Sequence, residues 1–246
     1  ICGIREPQHA VAAAEAGADM IGVILAESRR KVTPEEARAI VEALPERPAA
    51  SSLNGASFDP PPDDVAGWFA YSARLFEAEL AIRRPLVAGV FVSAAAWIVN
   101  ELAEEIGLDV SQQSGDDPWH YCLEISRPTV KAVHVRDGDD AASVMDRMEP
   151  GMADLVLLDS RAGDRLGGTG QTFDWSIAAE ISRPMPIILA GGLTPENVAE
   201  AVRIVRPFAV DVSSGVETDG VKDPAKIRDF IQAVRTADSE VAAHAG

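Results

Sequence analysis

Short apolar runs of strand length alternate with helix-like stretches along almost the whole of this 246-residue chain. The runs are residues 1–4, Asp19 to Leu25, Leu86 to Val92, Asp109 to Gln113, Val130 to Val135, Asp154 to Leu158, Pro186 to Ala190 and Phe208 to Val212. The stretches between them carry helix signals. Pro7 to Ala16 is Ala-rich and closed by Gly17, and Thr33-Pro34-Glu35-Glu36 is an N-cap sequence whose helix runs to about Leu44. Ala94 to Ile106 places Trp97, Ile98, Leu102 and Ile106 at helical spacing. Pro118 to Ile125, Asp140 to Met148 and Asp174 to Ile181 are shorter candidates. Thr194-Pro195 repeats the cap chemistry and opens a helix ending near Arg206-Pro207, and Pro224 to Val234 is the last. The small, polar tail after Thr236 reads as frayed. Regular β–α alternation implies a parallel sheet, and eight repeats at this length imply an α/β fold of the (β/α)8 barrel type, one domain over 1–246. The chain opens ICGI without Met, so a few residues are expected to precede it, and the sheet is short of partners there.

One segment breaks the rhythm, an insertion at 45–85 between the second helix and the third strand. Its first part is rich in Pro, Ser and Asp and reads as loop. Its second part, Val65 to Arg84, spaces Trp68, Phe69, Leu75, Phe76 and Leu80 as an amphipathic helix. The plain expectation is an extra helix packed on the barrel's outside; an oligomer contact or a lid is the sharper one.

Composition limits the partners. A hydrophobic content of 47% is ample for a core. No apolar run reaches the roughly 18 residues of a membrane span. No charged and apolar leader precedes the first strand, so a cytoplasmic location is expected. A net charge of −17 and a pI near 4.6 argue against nucleic acid and anionic membranes as partners. A substrate phosphate would have to be held by local N–H groups and Arg against that field. Lys31, Lys131, Lys222 and Lys226 are the only lysines, a balance that reads as adaptation to a salt-rich cytoplasm, or else as an ordinary acidic protein. Cys2 and Cys122 make no disulfide framework. The histidines are scattered, so no metal and no cofactor is expected.

In a barrel the informative positions are the carboxyl ends of the strands. Two turns there could cradle a phosphate: Gly191-Gly192 before a helix start, and Ser213-Ser214-Gly215. Glycine lets backbone N–H groups approach an anion closely, and a helix N-terminus favours negative charge. Either turn alone is also an ordinary βα turn. Cys2 ends the first strand, Asp159-Ser160 the sixth; Asp211 interrupts the apolar eighth; Arg29 and Arg30 follow the second; Gly167-Gly168-Thr169-Gly170 follows the sixth within a Gly-rich loop over 161–173. A lone strand cysteine is commonly a small buried hydrophobe and a lone strand-end Asp a helix cap. Together, Cys2 and Asp159 can converge over the barrel mouth as a base and acid pair. The outline is a phosphosugar enzyme that moves protons without a metal.

ICGI at the start, SRRKVTPEEAR at 28–38, GVFV at 89–92, LLDS at 157–160, GGTGQTFDWS at 167–176, ILAGGLTPENV at 188–198 and FAVDVSSGVET at 208–218 resemble phosphoribosylanthranilate isomerase of tryptophan biosynthesis. Order and spacing match nearly end to end, the insertion excepted. The resemblance implies an Amadori rearrangement of N-(5-phosphoribosyl)anthranilate, a small phosphosugar substrate. It implies Asp159 as general acid, opening the ribose ring to a Schiff base, and Cys2 as general base, taking the C2′ proton. For that, either the Cys2 pKa is depressed or the iminium makes the proton acidic. It places Arg30 by the anthranilate carboxylate, Asp211 on the anthranilate nitrogen, and Gly191, Gly192, Ser213, Ser214 and Gly215 in the phosphate loops. Two departures stand out. Residues 112–115 read Gln-Gln-Ser-Gly where the family has Gln-Leu-His-Gly, and LAESRR lacks a Pro and one residue.

Other readings stay open. One is a non-catalytic phosphate-binding barrel whose insertion makes it an interaction module. Another is a different phosphosugar barrel, an epimerase or indole-glycerol phosphate synthase. The metal-binding set of the first and the Lys/Glu set of the second are not found, although Lys131 is a core lysine. Whether the chain forms a homo-oligomer is not fixed by the sequence.

Overall fold

The computed structural model describes residues 1–46, 62–162, 165–166 and 174–245. Most of the loop half of the insertion (47–61) and the GGTGQTF stretch (167–173) therefore lie outside the described residues. Seven strands run parallel in the order β1 (Met20–Ile24), β2 (Leu86–Phe91), β3 (Val110–Gln113), β4 (Thr129–Val135), β5 (Leu155–Ala162), β7 (Ile188–Leu189) and β8 (Ala209–Val210). The first run makes only a bridge, not a ladder, but it is bonded on both sides. Gly22 N donates to Ile1 O and Gly3 N to Gly22 O, both at 2.9 Å, while Cys2 N donates to Val212 O at 2.9 Å. These bonds close the ring between β1 and β8, as in a (β/α)8 barrel.

Period-two alternation sorts each strand. Leu86, Ala88, Val110, Val130, Ala132, Leu155, Leu157, Ile188 and Ala190 form the inner cluster, while Val87, Val133, Val156, Leu158 and Leu189 face the helices. The helices are α1 (Pro7–Ala16), α2 (Pro34–Glu42), α3 (Val65–Ile82), α4 (Ala96–Ile106), α5 (Ala141–Met145), α6 (Trp175–Ser182), α7 (Val198–Val205) and α8 (Pro224–Ala245). A 3-10 helix over Trp119–Glu124 stands where the Pro118 to Ile125 helix is expected.

The two cap sequences behave differently. Thr33 and Glu36 form a reciprocal capping box, with Thr33 N donating to Glu36 Oε2 at 2.8 Å and Glu36 N to Thr33 Oγ1 at 3.2 Å. Thr194 instead closes a turn ahead of its helix. Asn197 donates from Nδ2 to Gly192 O and accepts from Thr194 N, so α7 starts only at Val198.

Three further expectations are corrected. The tail is not frayed: α8 continues to Ala245, because no Gly or Pro interrupts it, Ala237 is fully buried and Glu240 pairs with Arg203 at 2.7 Å. The sixth strand does not end at Leu158. It runs on to Ala162 and folds back antiparallel on β6 (Arg165–Leu166), so part of the expected 161–173 loop is a hairpin. The inserted helix α3 is not peripheral. Ala73 and Phe76 sit in the inner cluster with the first residues of β2, β3, β4 and β5, and Trp68 Nε1 donates to Ala153 O, just before β5, at 2.6 Å. The helix lies across the amino-terminal mouth of the barrel. Its buried residues Phe69, Ser72, Ala73 and Phe76 recur at helical spacing on one face.

Candidate active site

The carboxyl-terminal rim gathers the residues singled out from sequence. Asp159 shares the inward face of β5 with Leu155 and Leu157. It lies beside the last residues of β4 and β7, in register with His134 and one residue past the Leu158–Leu189 pair. Cys2 lies in the closing segment, 8% exposed, with Sγ so near β1 that a methyl group on Gly22 would come within 2.9 Å of it. Around the ring, β7 and β8 fill the arc from β5 to Cys2. The acid and base candidates thus face each other across the mouth, and the Gly191-Gly192 and Ser213–Gly215 turns occupy the arc between them.

Those two turns touch. A methyl group on Gly215 would lie 1.9 Å from Leu193 O, which no side chain can survive, so only Gly allows the turns to approach. Gly191 and Gly192 have φ of 88° and 64°, the left-handed region that turns the chain sharply after β7. Gly3, with φ of 74°, is crossed by the Arg30 side chain: an added methyl would lie 2.6 Å from Arg30 Cδ and 2.9 Å from Ser213 Oγ. Arg30 and the Ser213 turn therefore meet over the backbone next to Cys2.

Two charged residues without a role in the sequence reading join them. Glu217 accepts from Arg30 Nε at 2.6 Å and Nη2 at 3.1 Å, and from Lys222 Nζ at 2.9 Å. Lys222 Nζ also donates to Ser213 O at 2.7 Å. The Arg30, Glu217 and Lys222 side chains are 8%, 5% and 3% exposed. Burial works against the charge of Glu217, but its bonds from Arg30 and Lys222 outweigh it, so the carboxylate titrates below its ordinary range. Burial pulls Lys222 down, with Glu217 opposing. Glu217 lay inside the quoted FAVDVSSGVET block, and Lys222 is one of few lysines; nothing in the sequence paired either with Arg30.

Of the two routes open to Cys2, a depressed pKa is not the one found: burial, and next the Asp211 carboxyl, push the thiol up to about 12. Asp211 itself is raised, chiefly by burial. In the free protein Cys2 is therefore a protonated thiol. Iodoacetamide at pH 8 is expected to alkylate it at least about a hundredfold more slowly than a free cysteine of pKa near 8.5, read by peptide mass spectrometry. Reaction at the free-cysteine rate would show that the thiol is ionised.

Lys131 leaves the candidate list. It lies on the outer face of β4, between inward Val130 and Ala132, and its Nζ donates to Gly115 O at 2.8 Å. Ser114 is at the rim: its Oγ accepts from Gln112 Nε2 at 3.0 Å, and its carbonyl accepts from His134 Nε2 at 3.2 Å. A cavity of about 210 Å³ is lined by Cys2 and Asp211, by the inner-face residues Ala88, Gln112, Val130 and Leu157, and by residues of β8 and α8. Among the described residues no group of His, Cys, Asp and Glu could hold a metal, and no helix is long and apolar enough to cross a membrane.

The chain is similar to known proteins over most of its length. Residues 70–233 match the model of the N-(5'-phosphoribosyl)anthranilate isomerase family. The isomerase of Dehalococcoides mccartyi is 38% identical, covering 97% of this chain and 95% of its own. The tryptophan biosynthesis protein TRP1 of Phytophthora nicotianae is 42% identical over 96% of this chain, which spans about half (46%) of that longer protein. The solved phosphoribosyl anthranilate isomerase of Thermotoga maritima superposes with a TM-score of 0.71 at 30% identity, over 96% of this chain and 97% of its own. On these matches and on the barrel they share, the chain belongs to the N-(5'-phosphoribosyl)anthranilate isomerase family.

Proposed function

We propose that this protein converts N-(5-phosphoribosyl)anthranilate into 1-(2-carboxyphenylamino)-1-deoxyribulose 5-phosphate, the Amadori rearrangement of tryptophan biosynthesis, with Asp159 as general acid and Cys2 as general base. Family membership supports the reaction. The observation that carries the residue roles is the placement of Asp159 and Cys2 on facing sides of the strand-end rim, with two touching Gly/Ser turns on the arc between them.

Asp159 gives its proton to the ribose ring oxygen. The bond from C1′ to that oxygen breaks towards oxygen, and the anthranilate nitrogen pair forms the C1′–N double bond of a cationic Schiff base. Cys2 then removes the C2′ proton. The C–H electron pair becomes the C1′–C2′ double bond, and the nitrogen regains its own pair. The enolamine tautomerises to the ketone, and the proton Asp159 gives is matched by the one Cys2 takes. A thiol held near 12 is not a base in the free protein, so it ionises in the bound state, its proton leaving to water before the thiolate takes the C2′ proton. There the Schiff-base cation lowers the thiol pKa and acidifies the C2′ proton.

Binding follows the same rim. The Gly191-Gly192 and Ser213–Gly215 turns hold the phosphate with backbone N–H groups. Arg30 faces the anthranilate carboxylate, and Asp211 accepts from the anthranilate nitrogen. No step uses a cofactor. Adding the purified protein to freshly made substrate is expected to quench the anthranilate-type fluorescence with first-order kinetics in enzyme. An unchanged signal across a range of salt concentrations would return the chain to the reading of a phosphate-binding barrel without catalysis.

A further inference from the structure

The hairpin after the Ser213–Gly215 turn does more than return the chain to α8. Its strands β9 (Glu217–Thr218) and β10 (Val221–Lys222) pair Glu217 directly with Lys222, so the carboxylate and the ammonium are fixed side by side. Lys226 Nζ fixes the Glu217 carbonyl at 2.7 Å. From this rigid base two arms extend. Lys222 holds the Ser213 carbonyl, on the proposed phosphate side. Glu217 holds the Nε and Nη2 edge of Arg30, on the proposed carboxylate side.

We propose that Glu217 is a positioning residue for substrate binding: through Lys222 and Arg30 it fixes the distance and orientation between the group that receives the anthranilate carboxylate and the turn that receives the phosphate. The inference rests on the isomerase reading for the identity of the two substrate ends. A guanidinium has a planar fork of donors, and Glu217 occupies one edge of it. The remaining N–H groups are thereby aimed in one direction. A free arginine side chain would lose that orientation to rotamer entropy each time substrate binds. The ion set is also self-consistent: one carboxylate between two cations leaves a net positive site, which an otherwise strongly acidic protein needs where a substrate with both a phosphate and a carboxylate binds. Arg29 supports the same carboxylate from the solvent side at 3.0 Å.

A buried carboxylate between two cations also stabilises the fold, so the test must separate the two roles. Glu217→Gln alone leaves Arg30 and Lys222 buried without a counter-ion and is expected to lower the melting temperature. The double variant Glu217→Gln/Lys222→Met restores the net charge of the set and replaces the ammonium stem with an apolar chain of similar length. Its melting temperature is expected to return close to wild type. Its KM is nevertheless expected to stay raised by at least about tenfold, with kcat within about threefold, because binding common to ground and transition state has been removed. A double variant that recovers wild-type KM along with its melting temperature shows a charge-balancing role only and overturns the proposal. So does a KM that falls, because freeing Arg30 from its counter-ion then outweighs orienting it. An inert wild-type protein under the same assay rejects the isomerase reading itself, whereas an active wild type with an unaltered double variant rejects the coupling alone.

Discussion

Asp159→Asn is expected to lower turnover by about 10²–10⁴-fold, with a melting temperature close to wild type, and Cys2→Ser to do the same. The size follows from the role proposed for each group. Asparagine keeps the shape of Asp159 but has no acidic proton to give, so the proposed ring opening loses its acid. Serine keeps a polar hydrogen at position 2, but an alkoxide is far harder to form than a thiolate in a site that already pushes the thiol to about 12. The two should differ in one measurable way. A substrate analogue already ring-opened to the Schiff base bypasses the acid step, so Asp159→Asn should recover on it and Cys2→Ser should not. Wild-type rates in either variant would remove that residue from the mechanism. The two losses should also fail to add in the double variant, since each step is useless without the other.

The position of both residues on the rim was legible in the sequence, because the run lengths placed Cys2 and Asp159 towards the carboxyl ends of their strands. The ring order then set them on facing sides without any knowledge of side-chain contacts. What the sequence did not carry was pairing between distant residues. Glu217 meets Arg30 across 187 positions, and no local pattern marks one acidic residue among 39 as the partner. Which of the two routes applies to Cys2 was hidden for a related reason: the upward shift depends on burial and on Asp211, which the ring closure brings alongside. The tail failed differently. Its composition suggested fraying, but burial of Ala237 and the Arg203–Glu240 pair are tertiary contacts, and such contacts decide helix length more often than propensity does.

The inserted helix α3 is the plainest case of a pattern read correctly and located wrongly, and its position carries the second large expectation. Amphipathic spacing says that one face is buried, not against what. Here that face closes the amino-terminal mouth, where a barrel otherwise relies on its own strand-start side chains to exclude water. Phe76 is 5% exposed among Leu86, Val110, Val130 and Leu155, and Phe69 is fully buried against Trp119, with ring centroids 6.4 Å apart. Phe76→Ala is therefore expected to cost about 3–5 kcal/mol, a large share of the roughly 5–15 kcal/mol that holds a protein folded. Urea unfolding should show it as a lower midpoint with the slope unchanged. Removing the helix altogether should leave no cooperative transition, because it would open the inner cluster to water. The proposed chemistry lies at the opposite end of the barrel. Phe76→Ala assayed well below its melting temperature should thus keep the wild-type KM and kcat, provided the fold persists. A stability loss of less than about 1 kcal/mol, from the midpoint shift and the slope, would place α3 outside the core after all. A changed KM in the folded variant would mean instead that the plug transmits strain along the strands to the rim, so the two measurements together decide whether this end of the barrel serves stability alone.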